Sequence, residues 1–301
     1  MTDDGAHMEA KVVECFGRRA IVQLVDGARK TAAVFGKRTE ILCGDRVRLR
    51  PGGDELQIVE VLPRASTFAR TDSRGRKELL AANLTLIAVV MAPEPTPDLF
   101  IVDRYLAGAA YAHLRTVVIA NKCDIAPHDT ERLLSEYRQA GHRTLGISAK
   151  QGLGISELKS LLNGETFMLV GQSGVGKSTL TNSLVPASIR AIRALSTASG
   201  EGRHTTVSAA LFDFDDGALI DSPGVRDYAP PPIADDAVQV GWPEILALAP
   251  QCRFNNCLHL REPGCAVIAA IENGTIATRR YESYKRLLNL MRQLLPAHER
   301  K

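Results

Sequence analysis

Two hydrophobic patterns divide the chain into regions of different kinds. Residues 9–62 contain short runs rich in Val, Ile and Thr, such as "AKVVECF" and "LQIVEVL", with Asp-Gly and Gly-Gly pairs nearby. Such runs predict strands joined by tight turns, and a series of about five is typical of a small closed barrel of the OB type. We therefore predict an OB-fold barrel over residues 9–63. Barrels of this type often bind oligonucleotides, but a barrel without a ligand would show the same pattern.

From residue 83 onward, apolar strands alternate with helices. The run "LTLIAVVMA" at 84–92 is continuously apolar, as in a strand that is buried on both faces. A helix start at Pro97 and Asp98 follows, and strands "RTVVIA", "RTLGIS" and "TFMLV" each precede a further helical segment. "LFDFDDGALID" then indicates a hairpin that ends in a buried strand. This order predicts an α/β domain over residues 83–229, with a parallel sheet and helices on both faces.

Two segments follow neither pattern. Residues 64–82 are rich in Lys and Arg between Arg64 and Lys77, and we expect a basic linker loop there. Residues 230–301 contain proline-rich and cysteine-rich stretches and end in a helical tail, "RRYESYKRLLNLMRQLL". We expect this last region to form a separate helical domain. The basic residues of its tail suit contact with RNA phosphates, but its apolar residues recur at helical spacing, so the tail could equally serve packing.

The composition is that of an ordinary globular protein. Hydrophobic residues make up 45% of the chain and charged residues 24%, with a net charge of +3. A nucleic-acid partner therefore has to be argued from where the charges lie. No apolar run is long enough for a membrane helix, and the acidic N-terminus is unlike a signal peptide. We expect a cytoplasmic protein without a membrane partner, and no feature demands more than a monomer.

Residues 171–178 fit the phosphate-binding pattern G-x-x-x-x-G-K-[ST] between an apolar strand and a helix. Glycines let backbone N–H groups curl around phosphate oxygens, and the following helix offers its positive N-terminus. Lys177 should reach the β- and γ-phosphates, and the Ser178 hydroxyl should ligate Mg²⁺. The residues predicted to bind nucleotide here are Gly171, Gln172, Ser173, Gly174, Val175, Gly176, Lys177, Ser178 and Thr179.

A second phosphate-facing element is the D-x-P-G sequence at 221–224, which ends the apolar run "ALID". Asp221 would hold Mg²⁺ through a water molecule, and the Gly224 N–H would meet the γ-phosphate. The tetrapeptide alone is a common turn. Its place at the end of a predicted strand, downstream of the phosphate loop, makes the functional interpretation strong.

Residues 121–124, Asn-Lys-Cys-Asp, directly follow the strand "VVIA" and suit recognition of a guanine base. The Asp124 carboxylate can accept both the N1–H and the 2-amino N–H of guanine, whereas adenine would leave it unpaired. The aliphatic stem of Lys122 can lie along the ring. A further loop at 148–150, Ser-Ala-Lys, follows the next strand and could aim the Ala149 N–H at the guanine carbonyl. The residues predicted to read the base are Asn121, Lys122, Asp124, Ser148, Ala149 and Lys150.

Four potential metal ligands cluster near the C-terminus, in the order Cys-x4-Cys-x-His-x5-Cys. Three thiolates and one imidazole suit a closed tetrahedral zinc site that is structural, because no position is left for water. The alternative is a buried thiol cluster without metal. The predicted zinc ligands are Cys252, Cys257, His259 and Cys265. The other three cysteines are scattered and are interpreted as core residues.

The motif order 121, 148, 171, 221 is inverted relative to most GTPases and resembles the circularly permuted branch of that superfamily. Together with the barrel and the Cys/His tail, it resembles the bacterial small-ribosomal-subunit assembly GTPases known as RsgA or YjeQ, from about residue 9 to 295. The resemblance implies a GTP hydrolase that uses Mg²⁺ with GTP, contains one structural Zn²⁺, and assists late maturation of the small ribosomal subunit. It also implies that the protein binds rRNA when GTP is bound and is released on hydrolysis.

The resemblance also assigns the segment "GRHTT" at 202–206 to switch I. A glutamine often orients the attacking water just after the D-x-x-G glycine, but here Val225 occupies that position and cannot do so. His204 is then the best candidate for that role, with Thr205 or Thr206 contacting Mg²⁺. One departure from the family pattern is Val207, which stands where many members have a third threonine. The predicted catalytic residues are Lys177, His204, Thr205, Thr206 and Gly224.

Three functions compete on this evidence. The first is a GTPase timer that docks on ribosomal RNA, and the second is a GTP-dependent switch that acts on a protein partner with little RNA binding. The third, a kinase, is disfavoured because no acceptor-activating site stands out. Permutation also connects Asp221 directly to the C-terminal region, and we hypothesise that γ-phosphate contact at Gly224 repositions that region relative to the barrel.

Overall fold

The computed structural model describes residues 8–36, 40–53, 55–72, 74–185, 209–221 and 228–294. Its strands are β1 (Met8–Phe16), β2 (Arg19–Leu24), β3 (Arg29–Val34), β4 (Arg46–Gly52), β5 (Glu55–Val61), β6 (Thr67–Thr71), β7 (Lys77–Ala82), β8 (Leu86–Met91), β9 (Arg115–Ala120), β10 (Thr144–Gly146), β11 (Thr166–Val170), β12 (Ala210–Phe214) and β13 (Gly217–Asp221). Its helices are α1 (Leu99–Tyr111), α2 (Pro127–Gln139), α3 (Ile155–Leu162), α4 (Lys177–Leu184), α5 (Pro243–Leu248), α6 (Ala266–Glu272) and α7 (Thr278–Leu294). Two 3-10 helices, Asp235–Gly241 and Ala249–Gln251, flank α5.

Strands β1–β5 form the predicted five-stranded barrel. The pairing runs β1-β2-β3-β5-β4, and β4 returns to pair with β1, which closes the barrel. Alternate apolar residues point inward, because successive side chains of a strand face opposite sides. Val12, Val22, Val47, Leu49 and Ile58 are fully buried at the centre of this core.

The α/β region contains five parallel strands in the order β10-β9-β8-β11-β13, with β12 antiparallel beside β13. All six residues of β8 are buried, as its continuous apolar run predicts. Helices α1 and α2 pack on one face of the sheet, and α3 and α4 pack on the other. The predicted doubly wound architecture is therefore confirmed, and all five parallel strands end at the same edge.

Barrel and sheet meet where β1 pairs with β12, in register Glu14 with Ala210. Side chains reinforce the junction, because Gln23 Nε2 and Arg29 Nη2 both donate to Asp213 Oδ2, at 3.1 and 3.2 Å. Strand β1 of the barrel thus extends the central sheet beyond β12, on the side nearer to β11, the strand that leads into the phosphate loop.

The expected linker loop at 64–82 is wrong as a description of residues 67–71 and 77–82, which form the β6–β7 hairpin. Phe68 is fully buried and stacks on Tyr228 at 5.3 Å, and Tyr228 stacks in turn on Tyr105 of α1 at 4.4 Å. This aromatic column anchors the hairpin to the sheet domain. The basic residues of this segment suggest a solvated loop, but Arg70 bonds to Glu78 across the hairpin and Arg76 bonds to Asp72 at its turn.

The C-terminal region packs against α1 and α2 through a buried ionic cluster. Arg280 is 1% exposed; its Nη1 lies 2.6 Å from Asp103 Oδ1, and its Nε lies 2.7 Å from Glu244 Oε1. Arg279 Nη1 lies 2.7 Å from the other Asp103 oxygen, and Arg279 also pairs with Glu136 of α2. The pKa of Asp103, which burial alone would raise, is lowered by the charges of Arg280 and Arg279.

This cluster corrects one expectation for the helical tail. Arg279 and Arg280 are among the basic residues predicted to contact RNA phosphates, but in the structure both form ion pairs with buried carboxylates. Arg292 pairs with Asp235, and Lys285 pairs with Glu282. The alternative role of the tail in packing is confirmed, since Tyr284, Leu287, Leu288 and Met291 are buried in the core of the C-terminal region. As for membrane crossing, the helices of the described ranges are too short or too polar for it.

Candidate functional site

The carboxyl ends of the five parallel strands bring the predicted loops together. Asn121 follows β9, Ser148 follows β10, Gly171 follows β11 and Asp221 ends β13. In an open parallel sheet, ligands bind outside these strand ends, whatever order the chain visits them in. Direct contacts confirm the convergence: Asn121 Nδ2 donates to the Val175 carbonyl at 2.9 Å, and Ser183 Oγ of α4 donates to the Ala149 carbonyl at 3.2 Å.

Two glycines of the phosphate loop are required by close approach. Gly171 has φ of +138°, and a Cβ atom there would lie 2.0 Å from the Val90 carbonyl oxygen of β8. Gly176 has φ of +93°, and a Cβ there would lie 2.3 Å from Asn121 Nδ2. Any other residue would push the loop away from the sheet or from the base-reading loop.

Lys177 begins helix α4, directly after the phosphate loop. Its Nζ donates to the carbonyls of Gly171 and Gln172, both at 2.7 Å, so the ammonium lies over the loop that would surround the phosphates. Burial lowers the pKa of Lys177, and the nearby Asp221 carboxylate opposes this shift. The polar groups at the helix start, Ser178 and Thr179, are exposed and open to a ligand.

Asn121 connects three parts of the site rather than pointing freely at a base. Its side chain is buried; besides donating to the phosphate loop, its Oδ1 accepts the Ala149 N–H at 3.0 Å. The sequence predicts that this N–H faces the guanine carbonyl. That role requires the Ala149 N–H to share or exchange its Asn121 partner when the base binds.

Lys122 lies in the left-handed region, with φ of +62°, and its side chain spans the site. Nζ donates to the Glu94 carbonyl at 2.7 Å and to the Gly174 carbonyl at 2.9 Å, which stretches its aliphatic stem along the pocket. Asp124, two residues later, is partly exposed, and its Oδ2 accepts from Gln151 Nε2 at 3.1 Å. Ser148 Oγ accepts the Gln151 N–H at 3.2 Å, which orders the same loop.

Sequence reasoning missed the loop at 92–98, which follows β8 at the same sheet edge. Besides the Glu94 contact, the Asp98 N–H donates to Gln172 Oε1 at 2.9 Å, which ties the start of α1 to the phosphate loop. The available signal was its position after a fully apolar strand. Four predicted residues, His204, Thr205, Thr206 and Gly224, lie outside the described residues, and their roles stay predictions.

The family model described as RsgA GTPase matches residues 61–229. Proteins called small ribosomal subunit biogenesis GTPase RsgA are similar: that of Ectopseudomonas mendocina is 44% identical over 255 residues (82% of this chain, 74% of that protein). That of Pseudomonas fluorescens is 42% identical over 297 residues (95% and 86%). This chain belongs to the RsgA GTPase family.

Solved structures agree with this membership. YjeQ from Thermotoga maritima superposes with a TM-score of 0.75 at 29% identity, over 95% of this chain and 99% of that one. YloQ, described as a circularly permuted GTPase, also superposes with a TM-score of 0.75 and supports the fold alone, at 22% identity over 98% and 99% of the two chains. The predicted reaction class, GTP hydrolysis, and the permuted order of the motifs are therefore confirmed.

As an RsgA GTPase, the chain also carries a second centre that fits a metal. The ligand atoms of Cys252, Cys257, His259 and Cys265 all lie within 4.8 Å of one another. The Sγ atoms of Cys252 and Cys265 are 3.8 Å apart and lie 3.5 and 3.4 Å from His259 Nδ1. A zinc tetrahedron with ordinary bond lengths has edges of about 3.5–3.8 Å, so this donor set fits Zn²⁺.

The surroundings of His259 fit a ligand held in one orientation. Its Nδ1 faces the thiols, while Nε2 lies 3.0 Å from Gln239 Oε1, an acceptor that favours the proton on Nε2. The Tyr281 hydroxyl donates to the His259 carbonyl at 2.7 Å. Glu262 accepts three backbone N–H groups of the same loop; burial alone would raise its pKa, but these bonds lower it to about 2.

Proposed function

We propose that this RsgA GTPase assists late maturation of the small ribosomal subunit, binds rRNA when GTP is bound, and is released on hydrolysis. The observation that carries the proposal is the convergence of Asp124, Asn121 and Lys177 at one sheet edge, in a chain whose relatives are called small ribosomal subunit biogenesis GTPases. The barrel and the C-terminal region each contact the domain that holds this site, and they supply two further surfaces for a large partner. The proposed protein acts as a monomer in the cytoplasm.

In the proposed mechanism, backbone N–H groups of residues 171–178 and the Lys177 ammonium bind the phosphates. Ser178, Asp221 and Thr205 or Thr206 would hold Mg²⁺, which neutralises charge on the β- and γ-phosphate oxygens when bound. The Gly224 N–H would contact the γ-phosphate. His204 would orient the attacking water, because Val225 offers no polar group for that task.

Base selection is proposed to rest on Asp124. Its carboxylate accepts two N–H groups from guanine, and Gln151 holds one of its oxygens in place before the base arrives. The stretched Lys122 stem covers one side of the pocket. The Zn²⁺ held by the Cys/His centre would stabilise the C-terminal region without taking part in hydrolysis.

The proposal is tested by measuring GTP hydrolysis with and without purified small ribosomal subunits. We expect strong stimulation by small subunits and little by large subunits at the same concentration. Equal rates in all three conditions would contradict a function on the small subunit.

A second candidate is a GTP-dependent switch that acts on a protein partner with little RNA binding. One observation favours it: Arg279, Arg280 and Arg292 of the tail are paired with carboxylates and cannot supply free charge to RNA. Salt separates the two candidates, because binding through several RNA phosphates weakens steeply with salt concentration. A shallow salt dependence of binding to small subunits would favour the protein partner.

A further inference from the structure

Two phenylalanine rings are exposed among the residues that the structure describes, and both lie outside the nucleotide-binding domain. Phe35, after β3 of the barrel, is 52% exposed, and Phe254, in the zinc-binding loop, is 40% exposed. Each carries an arginine guanidinium over its ring. Phe254 lies two residues after Cys252, inside the loop that supplies the predicted zinc ligands. Phe35 lies in the barrel, away in sequence from that centre.

The surroundings of Phe35 hold it in a fixed arrangement. The Arg50 guanidinium carbon lies 4.4 Å from the ring centroid, and Arg50 Nε donates to Gln57 Oε1 at 3.1 Å. Arg18 Nη2 donates to the Val34 carbonyl at 3.1 Å and also to the Gly36 carbonyl, so one guanidinium holds the backbone on both sides of Phe35. The Phe35 N–H itself donates to the Ile58 carbonyl of β5 at 2.9 Å.

Charge pairing separates these two arginines from the rest of the barrel. Most barrel arginines have a carboxylate partner: Arg19 with Glu55, Arg29 with Asp213, Arg46 with Glu9, Arg48 with Glu60 and Arg64 with Asp45. Arg18 and Arg50 contact no carboxylate within the described ranges. The unpaired positive charge of the described barrel arginines is therefore concentrated around Phe35, the one phenylalanine ring that is exposed in the described part of the barrel.

An exposed ring that stacks on arginine, beside a second guanidinium that no described carboxylate neutralises, has the chemistry of a single-nucleotide site. Unpaired bases stack on aromatic side chains largely irrespective of sequence, and arginines neutralise the adjoining phosphates. We propose that Phe35, Arg50 and Arg18 form a binding site for one unpaired RNA nucleotide. The base stacks on Phe35, and its phosphate is neutralised by Arg50 or Arg18. This inference rests on the proposed function, because it names the contact that the barrel makes with the RNA of the small subunit.

The test compares variants of the full chain, bound to a non-hydrolysable GTP analogue, for affinity to purified small subunits and to protein-free rRNA of the same subunit. Phe35→Ala should weaken both by about 5- to 100-fold, the loss typical of one stacked base. Phe35→Tyr should keep most of the affinity, since it preserves the ring. Val25→Ala is the control, because Val25 is 94% exposed on the same barrel but offers no ring on which a base could stack.

A charge variant adds an independent readout. Arg50→Gln should lower the slope of log affinity against log salt by about 0.7, the value for one single-stranded phosphate. Arg48→Gln on the same strand is the matched control, because its charge is already paired with Glu60. Intrinsic GTP hydrolysis should be unchanged in all these variants and reports on correct folding.

The possible outcomes distinguish failure of the proposed nucleotide site from failure of the proposed function. If the unaltered chain fails to bind small subunits, the proposed function is overturned together with this site. If it binds and Phe35→Ala binds within twofold of it, the nucleotide site alone is overturned. Weakened binding to intact subunits with unchanged binding to protein-free rRNA would also overturn it, since the ring would then contact a ribosomal protein.

Discussion

The zinc centre and the nucleotide site are built in opposite ways. The four zinc ligands come from residues 252–265, and their donor atoms lie within 4.8 Å of one another in one short segment. The nucleotide site collects groups from five separate loops, spread over the chain between positions 92 and 221. A site of the first kind is fixed by local spacing, whereas the second exists only because a parallel sheet brings strand ends to one edge.

The two sites also differ in whether their polar groups face other protein groups or solvent. His259 is 1% exposed, and both ring nitrogens face partners. In the nucleotide site, Ser173 of the phosphate loop and Ser178 and Thr179 at the start of α4 are exposed. The zinc centre therefore suits permanent structural binding, and the nucleotide site suits a ligand that enters and leaves.

The largest effect should come from removing zinc. Metal binding in such sites contributes on the order of 10 kcal/mol to folding, so chelation or Cys265→Ser should abolish hydrogen-exchange protection across residues 228–294. GTP affinity should be largely retained, because no zinc ligand lies at the sheet edge. Cys15→Ser, in the barrel, is the control. Unchanged protection in the zinc-free protein would show that the region does not depend on the metal.

The next effect concerns the contact between the two regions. Arg280→Ala leaves Asp103 and Glu244 buried with one cation fewer, and losing one partner of a buried pair costs about 3–5 kcal/mol. Urea unfolding monitored on the single Trp242 measures this loss. Arg286→Ala, on the same helix, removes a guanidinium that lies over the Phe100 ring and should cost about 1 kcal/mol. Equal losses for the two variants would contradict the account of the cluster.

The same cluster predicts a pH dependence. Burial, with a smaller contribution from Arg280, lowers the pKa of His142 to about 4. Between this value and about 6.5, the unfolded chain binds a proton that the folded chain does not, so stability falls as pH falls through that window. The loss is at most about 3 kcal/mol. It should diminish in His142→Asn and persist in His113→Asn, an exposed-histidine control, when unfolding temperature is followed from pH 7 to 4.

A smaller effect, on rate alone, is expected at the nucleotide site. His204→Ala should slow GTP hydrolysis by about 100-fold and leave GTP affinity nearly unchanged, because the residue is proposed to orient water and not to bind the nucleotide. Single-turnover hydrolysis and equilibrium binding measure the two quantities. His128→Ala, exposed on α2, serves as the control, and an unaltered rate in His204→Ala would remove His204 from the mechanism.

Much of this architecture could be predicted from local sequence. The β8 run, the phosphate loop and the Asn121–Asp124 segment each follow from a short pattern, and the zinc ligands follow from spacing alone. The convergence of the loops also followed, because the rule for parallel sheets holds for any chain order.

Contacts between residues that are far apart in sequence could not be predicted from these local patterns. The β6–β7 hairpin was not predicted because its arginines suggested an exposed loop. Their partners Glu78 and Asp72 become neighbours only once the strands pair. The tail arginines looked free because their partner Asp103 lies on α1, far away in sequence. The same limit applies to Ala149, whose N–H meets Asn121, and to the Gln172 contact with the 92–98 loop. In each case the sequence identifies the charged group or hydrogen-bond donor but does not identify its partner.

The most direct test of the central claim is the nucleotide preference of Asp124→Asn. If Asp124 reads guanine at the edge of this sheet, the amide should accept the N1–H and donate to the 2-carbonyl of xanthine. The variant should then bind and hydrolyse XTP better than GTP, the reverse of the unaltered chain. A variant that keeps the original preference for GTP would contradict the claim that these dispersed loops form one guanine-nucleotide site.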